Sequence, residues 1–552
     1  MSSSKLLVVA IDFGTTYSGY AFSSISEKEK VYTYNWSKGI TQTPKTPTSI
    51  LFTPRRDFDS FGYEAEEKYA RLSHNNENRN WYFFKRFKLT LHKNQERYKD
   101  GKSQQSLNER TTIPDCTNKP MLAIDVFSGG IQYLKEHLFS HFQERLPQLR
   151  KDDIHWVLTM PAIWDEPAKK FMRKSAEKAG IPGCQLTLAL EPESAALYCQ
   201  LGVCRSGLTP VQPGAKFLLL DCGGGTVDVT VHEVRHDGSL KEIHRASGGL
   251  WGGIKVDDAF QEYLYETFND KFISLKQDDI IELNKKFESL KKRVDTEDKM
   301  YTIQLPVSLI QVARPETLIA GKLKLSSVVV KRFFDQPIRN ITEHVKGVLD
   351  SLRCHAIETI VLVGGFGESR LLQTELKKAF PRINILTPEN PSSAVVEGAV
   401  EFGHCPEKIR YRMSPYTYGV STTSKFLHWK HPISKLLNIN GKEYCKDVFD
   451  IHVTIDQIVE TGSPISNETY VPLYPDQTVL SLPVVSSESK NPIFVDDKGC
   501  KIIGRFEITI PNTFSGYQRD VNVKMIFSGT ELKVEARSEH SQRVYTSTFS
   551  FE

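Results

Sequence analysis

No stretch of this sequence approaches the roughly 18 consecutive apolar residues that a membrane-crossing helix needs. The first apolar run, Leu6–Ile11, is too short for the core of a secretory signal and breaks on Asp12. An excess of one charge is also missing: 71 Lys and Arg face 67 Asp and Glu, for a formal net charge of +4. That balance is too even to mark a protein that binds nucleic acid or an anionic membrane. The nine cysteines show no metal-ligand spacing, and the nearest approach, Cys199 and Cys204, has no second pair behind it. A dispersed, odd set suits small buried side chains in a reducing compartment better than a disulfide framework or a zinc site. Without a secretory signal, the sequons at Asn35, Asn340 and Asn467 read as chance matches. Two familiar glycine signatures are absent as well. No Gly-x4-Gly-Lys-Ser/Thr occurs, and no Gly-x-Gly-x-x-Gly opens a helix after a strand. These absences lead us to expect a cytoplasmic chain with no membrane span and no nucleic-acid partner.

What the sequence does contain is one phrase stated twice. Leu6-Leu7-Val8-Val9-Ala10-Ile11-Asp12-Phe13-Gly14-Thr15-Thr16 is answered by Phe217-Leu218-Leu219-Leu220-Asp221-Cys222-Gly223-Gly224-Gly225-Thr226. Each copy is an apolar strand, buried on both faces, that ends on aspartate and turns through glycine into threonine. Glycine lets the backbone approach a ligand closely, and bare N–H groups with threonine hydroxyls form a concavity for anions. An aspartate there repels phosphate but can hold the Mg²⁺ that phosphates carry. Two such loops facing each other would grip one nucleoside triphosphate from both sides. A third buried strand, Ile360–Val363, runs into Gly364-Gly365-Phe366-Gly367. On its own this turn fits any tight strand-to-helix connection.

At 552 residues the chain is long enough for several domains. Apolar spacing predicts a helix over Ala123–Phe142, a strand over Trp156–Met160, a helix over Pro167–Ala179 and long helical patterns through Val256–Val294. Leu91–Pro120 is polar and reads as an exposed insertion or a mobile loop. Past about Tyr411 helical patterns give way to strand-like ones, among them Ile451–Val459, Thr469–Leu473, Gly504–Ile510, Val521–Phe527 and Thr530–Ala536. The composition therefore places an α/β body at 1–410 and a β-rich domain at 411–552.

The ordered set of three glycine turns resembles the superfamily of actin, sugar kinases and heat-shock ATPases. Within it, Ile11–Ser18, Asp221–Val229, Thr159-Met160-Pro161-Ala162, Glu191–Ala196 and Val361–Gly365 are similar to motifs of the heat shock protein 70 family. Gly504–Ile508 and the strands after it resemble that family's peptide-binding β-domain, so the likeness covers essentially the whole chain. The polar insertions resemble the family's divergent subfamily twelve. The resemblance implies a two-lobed actin-like ATPase fold, built on duplicated ribonuclease-H-like sheets, with a C-terminal β-sandwich. It also implies ATP or ADP as ligand, with Mg²⁺. Asp12 and Asp221 would hold the metal. Thr15, Thr16 and Thr226 would bind phosphate oxygens, with Gly14, Tyr17, Gly223, Gly224, Gly225, Gly252, Gly253, Gly364 and Gly365 letting backbone close on the nucleotide. Lys85 would stabilise the γ-phosphoryl group, and Glu191, with Asp228 beside it, would orient the attacking water. Glu288, Lys291, Lys292 and Arg370 would clasp the adenosine.

The sequence also departs from the family pattern. Ser392 and Ser393 stand where the chaperones carry an acidic residue beside the adenosine. Residues Glu407–Pro415 replace the usual leucine-rich acidic linker with a basic stretch. The sequence ends at Phe551-Glu552 with no helical lid expected, so any protein or peptide client would meet an uncovered β-domain. The resemblance thus leaves two readings open. One is a slow ATP-hydrolysing, chaperone-related protein; the other is a nucleotide-gated scaffold with little or no turnover.

Overall fold

The computed structural model describes residues 5–38, 41–92, 107–143, 148–206, 212–352, 357–510, 516–528, 531–538 and 544–549. The chain divides into two compact units. One comprises Met1–Val234 with Ala246–Pro406, and the other Arg235–Arg245 with Glu407–Glu552.

The first unit repeats one sheet design. Strand Leu7–Phe13 pairs antiparallel with Tyr17–Ser24 and parallel with Ile154–Met160, which in turn pairs with Leu186–Leu190. Strand Lys216–Cys222 pairs antiparallel with Val227–Val234 and parallel with Thr359–Val363, which pairs with Asn384–Leu386. All seven positions of Leu7–Phe13 are buried, as the unbroken apolar run requires of a strand covered on both faces. Phe13 packs on Phe87 and Phe127 beneath the first sheet. Helices Glu191–Ser206 and Ala394–His404 pack closely, because Gly398 lies where an added Cβ would be 1.7 Å from the Ser194 carbonyl oxygen.

Local signals place most helix boundaries. Ala123–Gln143 is helical. Helix Glu166–Lys178 starts where Asp165 accepts the Ala168 N–H and Pro167 fills the first turn. The pattern expected to run through Val256–Val294 is interrupted. It forms helices Ile254–Phe268, Asp270–Ile273 and Gln277–Lys291, with Asn269 at φ 48° making the first break. Residues 93–106 of the expected insertion Leu91–Pro120 lie outside the described residues; in the rest, Thr112–Pro114 forms a hairpin with Pro120–Leu122.

The second unit holds two antiparallel sheets. One has the order Leu436–Ile439, Lys442–Val453, Thr417–Lys425, Val479–Ser487, Cys500–Thr509; the other runs Pro464–Tyr470, Val521–Ser528, Glu531–Ser538, Val544–Phe549. Tyr418, Val420, Leu482, Val484 and Phe506 of the first sheet share one core with Val523, Met525, Val534 and Ala536 of the second. Ile451–Val459, expected as a single strand, is split by a turn with Asp456 at φ 66°. Among the described residues this unit has no α-helix. The early segment 235–245 joins it because Leu240 pairs with Ile409, Glu242 accepts the Met413 N–H, and Asp237 binds Arg410.

Candidate functional site

Both copies of the repeated phrase end their strands in the same way, and the two loops meet. Asp12 lies opposite Gly19 and Asp221 opposite Asp228 across their hairpins. An added Cβ on Gly224 would fall 2.1 Å from Thr16 Oγ1, and one on Gly225 would fall 2.8 Å from Thr15 Oγ1. The glycines are therefore what allow the first loop's threonines to reach the second loop's backbone. Gly252 and Gly253 complete a third layer. Their N–H groups donate to the carbonyls of Gly225 and Gly223 at 3.2 and 3.1 Å. Gly364, at φ 83°, brings the third glycine turn against the second loop; an added Cβ would sit 2.5 Å from Asp221 Oδ1. Gly365 is exposed, with open space beside it.

Beneath these loops four carboxylates are buried together: Asp12, Glu191, Asp221 and Asp228. Asp12 accepts from Lys45 Nζ at 2.5 Å and from Thr159 Oγ1 at 3.0 Å. Burial pushes its carboxyl up, but Lys45 and Lys88 outweigh burial and hold it below the ordinary range. Glu191 accepts from Lys88 Nζ at 2.8 Å, yet burial and the Asp12 charge leave it raised. Asp228 accepts the backbone N–H groups of Ala162 and Ile163 at 3.0 and 3.2 Å, and the Thr226 hydroxyl. Burial, followed by the charge on Glu191, still raises it to about 7. Asp221 is pushed well above the carboxylate range by burial and by Glu191, Asp228 and Asp12 around it. The segment Thr159–Ile163 thus holds one aspartate from each half of the repeat.

Two lysines here were not anticipated from the sequence, and one expected lysine lies elsewhere. Lys85 ends strand Tyr82–Lys85 and pairs at 3.0 Å with Glu66, which Lys285 also binds at 3.1 Å. Arg86 follows at φ 54° and turns the chain, so that Lys88 rather than Lys85 enters the carboxylate cluster. In the sequence Lys88 is marked only by lying in the aromatic and basic run Trp81–Lys88. Lys45 has no such mark. Of the residues expected to clasp adenosine, Glu288 accepts the Tyr17 hydroxyl at 2.5 Å. Lys291 donates to the Gly253 carbonyl at 3.1 Å and to Asp257 at 2.6 Å. Lys292 and Arg370 are exposed, at the end of one helix and the start of another.

The residues fit a nucleotide-borne divalent cation. Among the described residues the ammonium groups of Lys45 and Lys88 pair with Asp12 and Glu191, and Asp221 and Asp228 have no cation of their own. Asp221, 4% exposed, receives no hydrogen bond among the described residues. No group of three His, Cys, Asp or Glu among the described residues is arranged to cage a metal alone. That suits Mg²⁺, which takes one or two carboxylates and fills its shell with water and phosphate oxygens.

Comparison with known proteins agrees with this arrangement. The family profile described as Hsp70 protein matches residues 8–407. Human heat shock 70 kDa protein 12A is 32% identical over 97% of this chain and 90% of its own length. Human heat shock 70 kDa protein 12B is 31% identical over 99% and 91%, and the mouse 12A protein 31% identical over 96% and 89%. With two facing glycine–threonine loops above a carboxylate cluster and a family match across most of its length, the chain belongs to the heat shock protein 70 family.

Proposed function

We propose that the first unit is an ATP site that binds ATP or ADP with Mg²⁺ and hydrolyses ATP slowly. The observation that carries this reading is the interlock of Thr15 and Thr16 with Gly224 and Gly225 directly over the four buried carboxylates. Backbone N–H groups and hydroxyls of the two loops would bind the β- and γ-phosphate oxygens from opposite sides. Mg²⁺, when bound, neutralises charge on those oxygens. Water attacks the γ-phosphorus in line with the bond to the leaving β-phosphate oxygen; that bond breaks and yields ADP and phosphate. Glu191 and Asp228 orient the water and take up its proton, a role suited to carboxyls whose proton affinity burial raises. Lys88 supplies fixed positive charge beside the transferring group. Glu288 and Lys291 border the adenosine side of the site.

The second unit, two sheets around one core, reads as the family's β-sandwich. An extended peptide would add to a sheet edge there. The dispersed, unpatterned cysteines suit the reducing cytoplasm as the chain's place.

A second reading, a scaffold gated by nucleotide, is favoured by the 2.8 Å ion pair that engages Glu191 with Lys88. Nucleotide affinity and single-turnover hydrolysis separate the two. Tight binding with no phosphate release by the wild type selects the scaffold. Release that is lost in Glu191→Ala selects the ATPase, and stimulation by peptide adds the chaperone coupling.

A further inference from the structure

The two halves of the repeat are not equivalent as metal ligands. Asp12 has both carboxylate oxygens filled, Oδ2 by Lys45 Nζ at 2.5 Å and Oδ1 by Thr159 Oγ1 at 3.0 Å. Its counterpart Asp221 is equally buried, at 4% exposed, and receives no hydrogen bond or ion pair among the described residues. Glu191 is taken by Lys88, and Asp228 by two backbone N–H groups and Thr226. Asp221 is therefore the one member of the cluster, among the described residues, with neither oxygen engaged; Glu191 is held through Oε1 and Asp228 through Oδ1.

The Lys45 position is built into the fold. Thr46–Pro47 pairs with Tyr17–Ser18, the Thr48 hydroxyl donates to the Gly14 carbonyl at 2.8 Å, and the Thr48 N–H donates to that of Thr16 at 2.8 Å. The lysine stem crosses Gly19, the residue opposite Asp12, where an added Cβ would be 3.1 Å from Lys45 Cγ and 2.8 Å from the Pro44 carbonyl oxygen. A larger residue at 19 would displace the lysine.

We infer that Lys45 is the resident cation of Asp12, and that the divalent cation arriving with the nucleotide is anchored to the protein through Asp221 alone. This rests on the nucleotide reading above. In it, the first loop contributes phosphate contacts and a fixed ammonium, while the second contributes the metal ligand. Coulomb repulsion between an ammonium and a divalent ion over one carboxylate keeps the metal on the second side.

The test is ADP affinity measured by titration calorimetry in saturating Mg²⁺ and again in EDTA, for folded protein checked by circular dichroism. The ratio of the two affinities reports the metal's anchorage. We expect Asp221→Asn to reduce that ratio by about 10- to 100-fold, the usual range when a metal site loses a supporting group. Asp12→Asn should weaken ADP binding in both conditions and keep the ratio. Lys45→Met, which frees Asp12, should raise the ratio. Equal loss of the ratio in Asp12→Asn and Asp221→Asn would overturn the inference while leaving the nucleotide site standing, as would an unchanged ratio in Lys45→Met. Wild-type protein that binds no ADP in either condition overturns both.

Discussion

The Lys88 ammonium lies 2.8 Å from Glu191 Oε1 and 5.0 Å from the centre of the Trp164 ring, and its side chain is 1% exposed. A lysine this buried is held by its partners rather than by solvent, and removing it would leave Glu191 as an uncompensated buried charge. Lys88→Ala should therefore slow single-turnover ATP hydrolysis by about 100- to 1000-fold, the scale of losing one electrostatic stabiliser of a transition state. Lys85→Ala should act mainly on the Glu66 bridge, where Lys285 remains, lowering stability by about 1 kcal/mol. A larger hydrolysis defect in Lys85→Ala than in Lys88→Ala would reverse the assignment.

Binding of Mg²⁺ with ADP should release protons near pH 7. Asp228 is raised to about 7, and Asp221 and Glu191 are raised by burial and by one another, so the unliganded cluster retains protons that a divalent cation would expel. Calorimetric titrations in buffers of different ionisation enthalpy read this number directly. A heat of binding independent of the buffer would contradict it.

The two units should respond to pH with opposite signs. Asp228 has a folded value above its unfolded one, so its contribution favours folding at low pH and is lost between about 4 and 7 as pH rises. In the second unit, His452 is hydrogen-bonded to Ser466 and Tyr470, and Tyr470 donates to Asp450. Burial lowers the His452 value to about 4, so neutral His452 supports that unit above pH 6.5 and the support fades toward pH 4. Calorimetric scans from pH 5 to 8 should show the transition of the first unit falling and that of the second rising. Tyr470→Phe should cost the second unit about 1–3 kcal/mol by stranding buried polar atoms.

Two glycines should separate close approach from simple flexibility. At Gly252 an added Cβ would fall 2.5 Å from the Gly224 carbonyl oxygen, a backbone atom that cannot step aside without moving the second loop. Gly252→Ala should destabilise the protein by about 2 kcal/mol or more. Gly347 is exposed in helix Ser327–Ser351 with nothing near an added Cβ. Gly347→Ala should stabilise it by up to about 1 kcal/mol through helix propensity alone. Melting temperatures of the two variants decide the matter.

The parts of the site that could be read from the sequence are those where backbone does the work. Asp12 and Asp221 stand out because each closes a strand that must be apolar on both faces. The glycines beside them stand out because no side chain fits between the loops. The parts that could not be read depend on where the chain turns. A residue-by-residue likeness carries the stabilising lysine onto Lys85, but Arg86 in a left-handed conformation redirects the chain and delivers Lys88. Lys45 comes from a segment whose only marks are prolines and threonines, and its meaning appears only when that segment pairs beside Asp12. The attachment of 235–245 to the second unit is equally silent in sequence, since it depends on Leu240 pairing with Ile409, far along the chain.

The central claim, that the two opposed loops and the carboxylates beneath them form a working ATP site, is tested most directly by mixing excess wild-type protein with ATP and Mg²⁺. ATP binding and phosphate release in a single turnover are then followed together. The account predicts saturable ATP binding and slow phosphate release that disappears in Glu191→Ala while binding persists. Folded wild-type protein that binds no ATP, or a Glu191→Ala variant that releases phosphate at the wild-type rate, would contradict it.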